Sequence, residues 1–256
     1  MHENSPTLYF GIPLISKDAA VDWEHTVALL NNTLSSIAQQ TDKRVHVLIV
    51  CHDIPVVHKR FLPLITFLPL DLPIPTTVSE MRADKGRKKL EMGIHLRTLG
   101  GGYLMFLDSD DLVHKNLAAH VLNTQDPNGY VVTSGYEYYS DTHSLLVQKN
   151  GFNHICGSCG IFKLNVEDLP VDANDSNAFH CKLQSHKEFA NVCARHNRPL
   201  SPIPFPAVIY LRTSNITIST RFFKATGIRL WKKRIKNILR RKKLTPQISS
   251  AFHLSA

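Results

Sequence analysis

Three of the four residues Asp108-Ser109-Asp110-Asp111 are carboxylates, and they follow directly on an apolar run, Tyr103-Leu104-Met105-Phe106-Leu107. Acids crowded at the end of a buried strand are costly, because each charge raises the pKa of its neighbours unless a cation neutralises them. Oxygen-only ligands favour a hard ion, Mg2+ or Mn2+, and two or fewer carboxylates on such an ion leave positions open for phosphate oxygens. The plainer alternative is a solvated strand end whose Asp111 caps the next helix. Upstream, Asp84-Lys85-Gly86-Arg87-Lys88-Lys89 puts four cations into what reads as the first turn of a helix over 84–99. There they oppose the helix macrodipole at about 0.3–1 kcal/mol each. A nearby anion offsets that cost, and a diphosphate is the natural candidate; a solvated basic face is the competing explanation.

Alternating strands and helices position these groups. A near-continuous apolar run over 7–15 reads as a strand in the middle of a parallel sheet. Trp23, Val27, Leu30, Leu34 and Ile37 recur at helical spacing, and 44–51 is a second strand that stops at His52-Asp53, ahead of Pro55. That is a βαβ unit. A short strand at 65–68 precedes Pro69, Pro73 and Pro75, and the helix over 84–99 is closed by Gly100-Gly101-Gly102. After the strand 103–107 and a helix over 116–122, strands are expected at 130–139, 145–147, 155–164 and 207–211, with a helix over 183–196. The fold class is α/β, an open and mostly parallel sheet with helices on both faces. Ligands bind such sheets at the carboxyl ends of strands, where Asp53 and Asp108 to Asp111 fall.

The segment Gly101-Gly102-Tyr103-Leu104-Met105-Phe106-Leu107-Asp108-Ser109-Asp110-Asp111 resembles the Asp-x-Asp region of family 2-type glycosyltransferases of the GT-A fold. The resemblance spans roughly residues 7–219. It implies a metal-dependent transfer of a sugar from a nucleotide-diphosphate donor to an acceptor hydroxyl. Asp108 would contact the ribose, Asp110 the metal bridging the diphosphate, and Asp111 would support or share that Mn2+ or Mg2+. Asp53 stands where the family contacts the base, and Asp84, Lys85 and Lys88 where it contacts the donor nucleotide. The family's general base is usually an Asp or Glu at the start of a late helix. Gln184-Ser185-His186-Lys187-Glu188-Phe189 lacks the usual Glu-Asp pair, so His186 or Glu188 is the expected substitute. Cys156-Gly157-Ser158-Cys159-Gly160 matches the small-residue segment that in such enzymes lies under the donor sugar. The closing segment from Tyr210 has no histidine to complete a metal site.

Two rivals belong to other classes. A haloacid dehalogenase-type phosphatase also follows a strand with Asp-x-Asp, but wants Thr or Val where Leu112 stands and the motif near the chain start. A non-catalytic GT-A binding protein that lost its base fits the missing Glu-Asp pair. Cys156-x-x-Cys159 begins like a zinc site, yet a structural zinc needs a second pair at definite spacing, and Cys181 and Cys193 are twelve apart. Five cysteines, odd and sparse, read as reduced thiols. Tyr136, Tyr138 and Tyr139 either stack on acceptor sugars or pack within the sheet.

The formal charge of +9 is not evenly spread: 11 of the 30 Lys and Arg lie between Arg221 and Lys243 with no acid among them, leaving 19 against 21 elsewhere. The expected division is a globular domain over 1–220 and a basic amphipathic tail over 221–256. Trp231, Ile235, Ile238 and Leu239 share a helical face there, as expected of a helix on an anionic membrane surface. No run reaches the length of a membrane span, and the N-terminus lacks a basic region leading into an apolar one. A cytoplasmic protein, peripheral at the inner face of the membrane, is expected. Its partners would be a nucleotide-sugar donor and a glycan or lipid-linked acceptor, with no specific nucleic acid.

Overall fold

A computed structural model describes residues 6–212 and 240–254. Strands β1 (Leu8–Pro13), β2 (Val45–Cys51), β3 (Ile65–Pro69) and β4 (Gly102–Phe106) lie parallel in the order β3-β2-β1-β4. Their residues are apolar on both faces because helices cover both, and Phe10, Val47, Ile49, Leu104 and Met105 are fully buried. Beyond β4 the sheet continues through β9 (Gly160–Leu164), antiparallel to β4, then β6 (Gly129–Val131) and β10 (Ser201–Pro202). This is the mostly parallel α/β sheet expected, seven strands wide, with β9 the one strand running against the rest.

The flanking helices start where local chemistry allows. Asp22 caps α1 (Trp23–Ala38) by accepting the His25 N–H at 2.9 Å, and Leu30, Leu34 and Ile37 form its buried stripe. Thr77 and Glu80 form a capping box that starts α2 (Val78–Thr98). That start lies six residues before the expected one. Lys85, Arg87, Lys88 and Lys89 therefore sit in the interior of the helix, and the macrodipole argument for an anion beside them does not apply. Helix α3 (Leu117–Thr124) and the short α4 (Phe189–Arg195) add Val121, Leu122, Phe189 and Cys193 to the same core.

Two other expectations are corrected. The run 130–139 is two strands, β6 in the main sheet and β7 (Gly135–Tyr139) in a second one, and Gly135 permits the crossing because a Cβ there would stand 2.6 Å from the Phe152 ring. The helix expected over 183–196 begins only at Phe189, because Leu183 and Gln184 turn their carbonyls to Lys89 instead of continuing a helical ladder.

The second sheet has the order β12-β8-β7-β11-β5, with β5 (Leu112–Val113), β8 (Ser144–Gln148), β11 (Val208–Arg212) and β12 (Lys242–Lys243). Strand β12 pairs with β8. Helix α5 (Pro246–Phe252) follows, capped by Thr245. Phe252 joins Leu112, Tyr138, Leu145, Ile209 and Leu211 in a small core of their own. Residues 240–254, the last part of the expected 221–256 tail, thus pack against the body. The face formed by Trp231, Ile235, Ile238 and Leu239 lies outside the described residues. Tyr136 packs edge-on against Phe252 at 5.7 Å, and Arg241 lies 3.2 Å from the Tyr139 ring, so these tyrosines serve packing. Among the described residues no helix is long and apolar enough to cross a membrane.

Candidate active site

Just past the end of β4, the Leu107 N–H donates to Gly11 O at 2.9 Å, and the chain leaves the sheet at Asp108. The Asp108 N–H donates to Ser158 Oγ (2.9 Å), and its carboxylate receives Lys85 Nζ at 2.5 Å. Ser158 Oγ in turn donates to Asp111 Oδ2 (2.5 Å), which also accepts from Cys156 Sγ (3.2 Å). One hydroxyl therefore ties the backbone of Asp108 and the carboxylate of Asp111 to the segment 156–160. Gly157 fits against Asp108 only because it lacks a side chain.

The three acids sit in different electrostatic situations. Burial alone would raise Asp108, but the Lys85 charge and hydrogen bond, helped by Lys89 and His186, hold it below its ordinary value. Burial, then the neighbouring Asp108 charge, pushes Asp110 up to about 6. Asp111 is fully buried, and burial followed by its two acidic neighbours raises it well above the carboxylate range. Its Oδ1 is buried without a hydrogen-bond partner among the described residues.

Beside these acids lies a cavity of about 440 Å³, open at the carboxyl ends of β1 and β4. Asp84, Lys85, Lys88, Asp108, Asp110 and His186 all line it. Asp53, Asp111 and Glu188 are not on its wall. Asp53 is exposed and accepts the Lys17 N–H at 2.9 Å, clipping the loop after β1. Glu188 is exposed and accepts from Asn191 Nδ2 at 3.2 Å.

Asp84 is held from two sides, by His52 Nε2 (2.8 Å) and Lys88 Nζ (2.6 Å), and Lys88 also donates to Leu14 O (2.6 Å). Lys88 is 1% exposed, and burial depresses its pKa against the pull of Asp84. This network straps α2 to the ends of β1 and β2. His186 lies in the turn ahead of α4. Its pKa is lowered, chiefly by burial, with the Asp108 charge and a bond to the His154 backbone opposing. Its Nε2 is buried with no hydrogen-bond partner among the described residues. His186 as a residue lines the cavity, and an imidazole with one unsatisfied nitrogen has the chemistry of a proton acceptor.

Asp110 is the carboxylate on the cavity wall that could hold a divalent cation. Burial and mutual repulsion raise the carboxyls of Asp110 and Asp111, and Asp111 Oδ1 has no hydrogen-bond partner among the described residues; a cation would compensate both. Among the described residues no three His, Cys, Asp or Glu side chains form a metal cradle, so most ligands would have to come from a bound phosphate and water. Cys156 and Cys159 are ill suited to zinc. Burial, then nearby acids, raises Cys156 well above the thiol range and Cys159 to about 12, and thiols so protonated make poor ligands. All five cysteines are free thiols.

Sequence reasoning missed Val78, Met81 and Arg82, which line the cavity with Lys85 and Lys88. The signal was present: from Val78 these positions recur at three and four and share one helix face. It could be read only with the helix start at the Thr77–Glu80 capping box.

No protein-family model matches the chain, and no curated protein does. Among solved structures, the fold is similar to S. aureus TarS, at a TM-score of 0.40 and 10% identity over 81% of this chain and 37% of that one. It is also similar to the 1–349 form of S. aureus TarS, at a TM-score of 0.40 and 9% identity over 80% of this chain and 60% of that one. The chain thus spans less than two thirds of either structure.

Proposed function

We propose that this chain is a glycosyltransferase of GT-A type that holds a nucleotide-diphosphate sugar in the 440 Å³ cavity and passes the sugar to an acceptor hydroxyl. The observation that carries this reading is convergence. Six side chains from three segments, Asp84, Lys85 and Lys88 on α2, Asp108 and Asp110 after β4, and His186 ahead of α4, share one wall at the carboxyl ends of parallel strands, where α/β sheets take ligands. The volume suits a ligand of this class.

In this reading Asp108, kept ionised by Lys85, accepts hydrogen bonds from the donor ribose. A Mg2+ or Mn2+ ion at Asp110, when bound, supplies neutralisation of the departing diphosphate. His186 Nε2 takes the proton of the acceptor hydroxyl as its oxygen bonds to the anomeric carbon. The bond from that carbon to the phosphate oxygen breaks, and the nucleoside diphosphate leaves. Asp111 acts through Ser158 to hold the 156–160 segment under the sugar. The acceptor is a glycan or lipid-linked sugar in cell-surface glycan synthesis, with the basic stretch 221–243 resting on an anionic membrane surface.

Calorimetric binding of UDP, GDP, dTDP and CDP, with and without Mn2+, tests the reading. Metal-dependent selectivity for one nucleotide, lost in Asp110→Ala, is the expected result. If none of the four binds while small phosphoesters release phosphate, the transferase reading fails in favour of a phosphatase.

A further inference from the structure

Lys89 follows Lys88 on α2 but is not on the cavity wall; it is 6% exposed. Its Nζ donates to Gln184 O at 3.0 Å and Leu183 O at 3.5 Å. It also stands 4.4 Å from the centroid of the Phe106 ring and 5.2 Å from that of Phe189. Phe106 ends β4 two residues before Asp108, and Phe189 begins α4. Leu183 and Gln184 belong to the irregular segment that carries His186 two residues later. One buried ammonium therefore touches the strand that bears the acids and both sides of His186.

Helix α2 is shaped to receive that segment. At Gly86, one turn before Lys89, a Cβ would already be in contact with Gln184 Oε1 at 3.5 Å. Carbonyls and aromatic faces stabilise the Lys89 charge, but no carboxylate bonds it among the described residues, and a charge buried on such terms is expensive. Burial, then Lys85 on the same helix, lowers it to about 7 against the opposing pull of Asp108 and Cys159. His180, packed against Phe106 and lowered to about 4 by burial and then by Lys89, faces it as a neutral ring. An isosteric apolar side chain would fill this space without that desolvation cost, but it would leave the two carbonyls unbonded.

We infer that Lys89 is a positioning residue for His186: by bonding the carbonyls of Leu183 and Gln184 it sets the loop that keeps His186 on the cavity wall beside Asp108 and Gly157. The inference rests on the reading of His186 as the group that takes the acceptor proton. As Lys89 loses its proton above about pH 7, its grip on the two carbonyls and the two rings weakens, and the loop loosens.

The test follows histidine ring signals by NMR between pH 5.5 and 9 in the full chain, with His186→Gln identifying the His186 signal. In the wild type that signal should show a second inflection near pH 7 besides its own titration. Lys89→Met should displace the signal and abolish the second inflection. Lys89→Arg, which stays charged, should restore the wild-type position without the inflection. A His186 signal unchanged in Lys89→Met overturns the inference; if that variant does not fold, an inflection near pH 7 that persists in Lys89→Arg overturns it. Nucleoside diphosphate binding of the wild type, measured in parallel, separates the two ideas. Its absence sinks the donor-site reading, whereas binding with an indifferent His186 sinks only the role of Lys89.

Discussion

A Cβ on Gly157 would stand 2.8 Å from Asp108 Oδ2, on the side of the carboxylate opposite the 2.5 Å bond from Lys85 Nζ to Oδ1. The carboxylate is thus held between a cation and a backbone that approaches as closely as glycine allows. Asp108 is too short to swing clear without surrendering Lys85.

Gly157→Ala should therefore lower nucleoside diphosphate affinity roughly tenfold, the scale of losing one charge-assisted hydrogen bond. Thermal stability should change little, because the displaced group is a partly exposed side chain and not backbone. Calorimetry beside a melting curve measures both; wild-type affinity in the variant would mean that Asp108 does not touch the ligand.

Asp110→Asn should stabilise the metal-free protein at pH 8 and leave it unchanged at pH 4. The folded pKa of about 6 lies above the ordinary 3.8, so the folded state keeps a proton that the unfolded chain has given up. The stability contributed by this group is full below the ordinary value and is lost as pH rises through about 6. Melting temperatures against pH in a chelating buffer read this directly, and a variant that tracks the wild type at both extremes would contradict it.

Asp53 clips the loop after β1 through the Lys17 N–H, and that loop brings Ala19, Ala20 and Val21 to the cavity. Asp53→Ala should weaken binding of all nucleoside diphosphates alike, whereas Asp53→Asn, which keeps an acceptor, should nearly restore it. A changed preference among UDP, GDP, dTDP and CDP in Asp53→Asn would instead make Asp53 a reader of the base.

Phe252 is 2% exposed and lies edge-on to His114 at 5.2 Å and to Tyr136 at 5.7 Å. Phe252→Ala should cost about 3 kcal/mol by denaturant unfolding and expose the segment after Lys243 to protease. For the same reason, truncation after Thr220 should destabilise the body as well as remove basic charge. A truncated chain with wild-type stability would show that residues 240–254 contribute nothing to it.

The order of strands and helices through β4, and the carboxylate cluster at its end, were legible in the sequence, because apolar runs and helical spacing are local patterns. The small residues from Cys156 to Gly160 were visible too, but not that Gly157 packs against Asp108 and Gly160 against Phe162 and Phe189. The start of α2 was also written locally, in Thr77 and Glu80, but the prolines before it masked the capping box. The division of labour among the charged residues could come only from the fold. Asp111 faces inward because Ser158 and Cys156, 47 and 45 residues away, meet it there. Asp84 is occupied by His52 across 32 residues, and Lys89 by carbonyls 94 and 95 residues on. A charged side chain looks the same in a sequence whether it faces solvent, a ligand or a buried partner. Which of these it meets depends on contacts between distant segments, and those form only when the sheet brings the strand ends together.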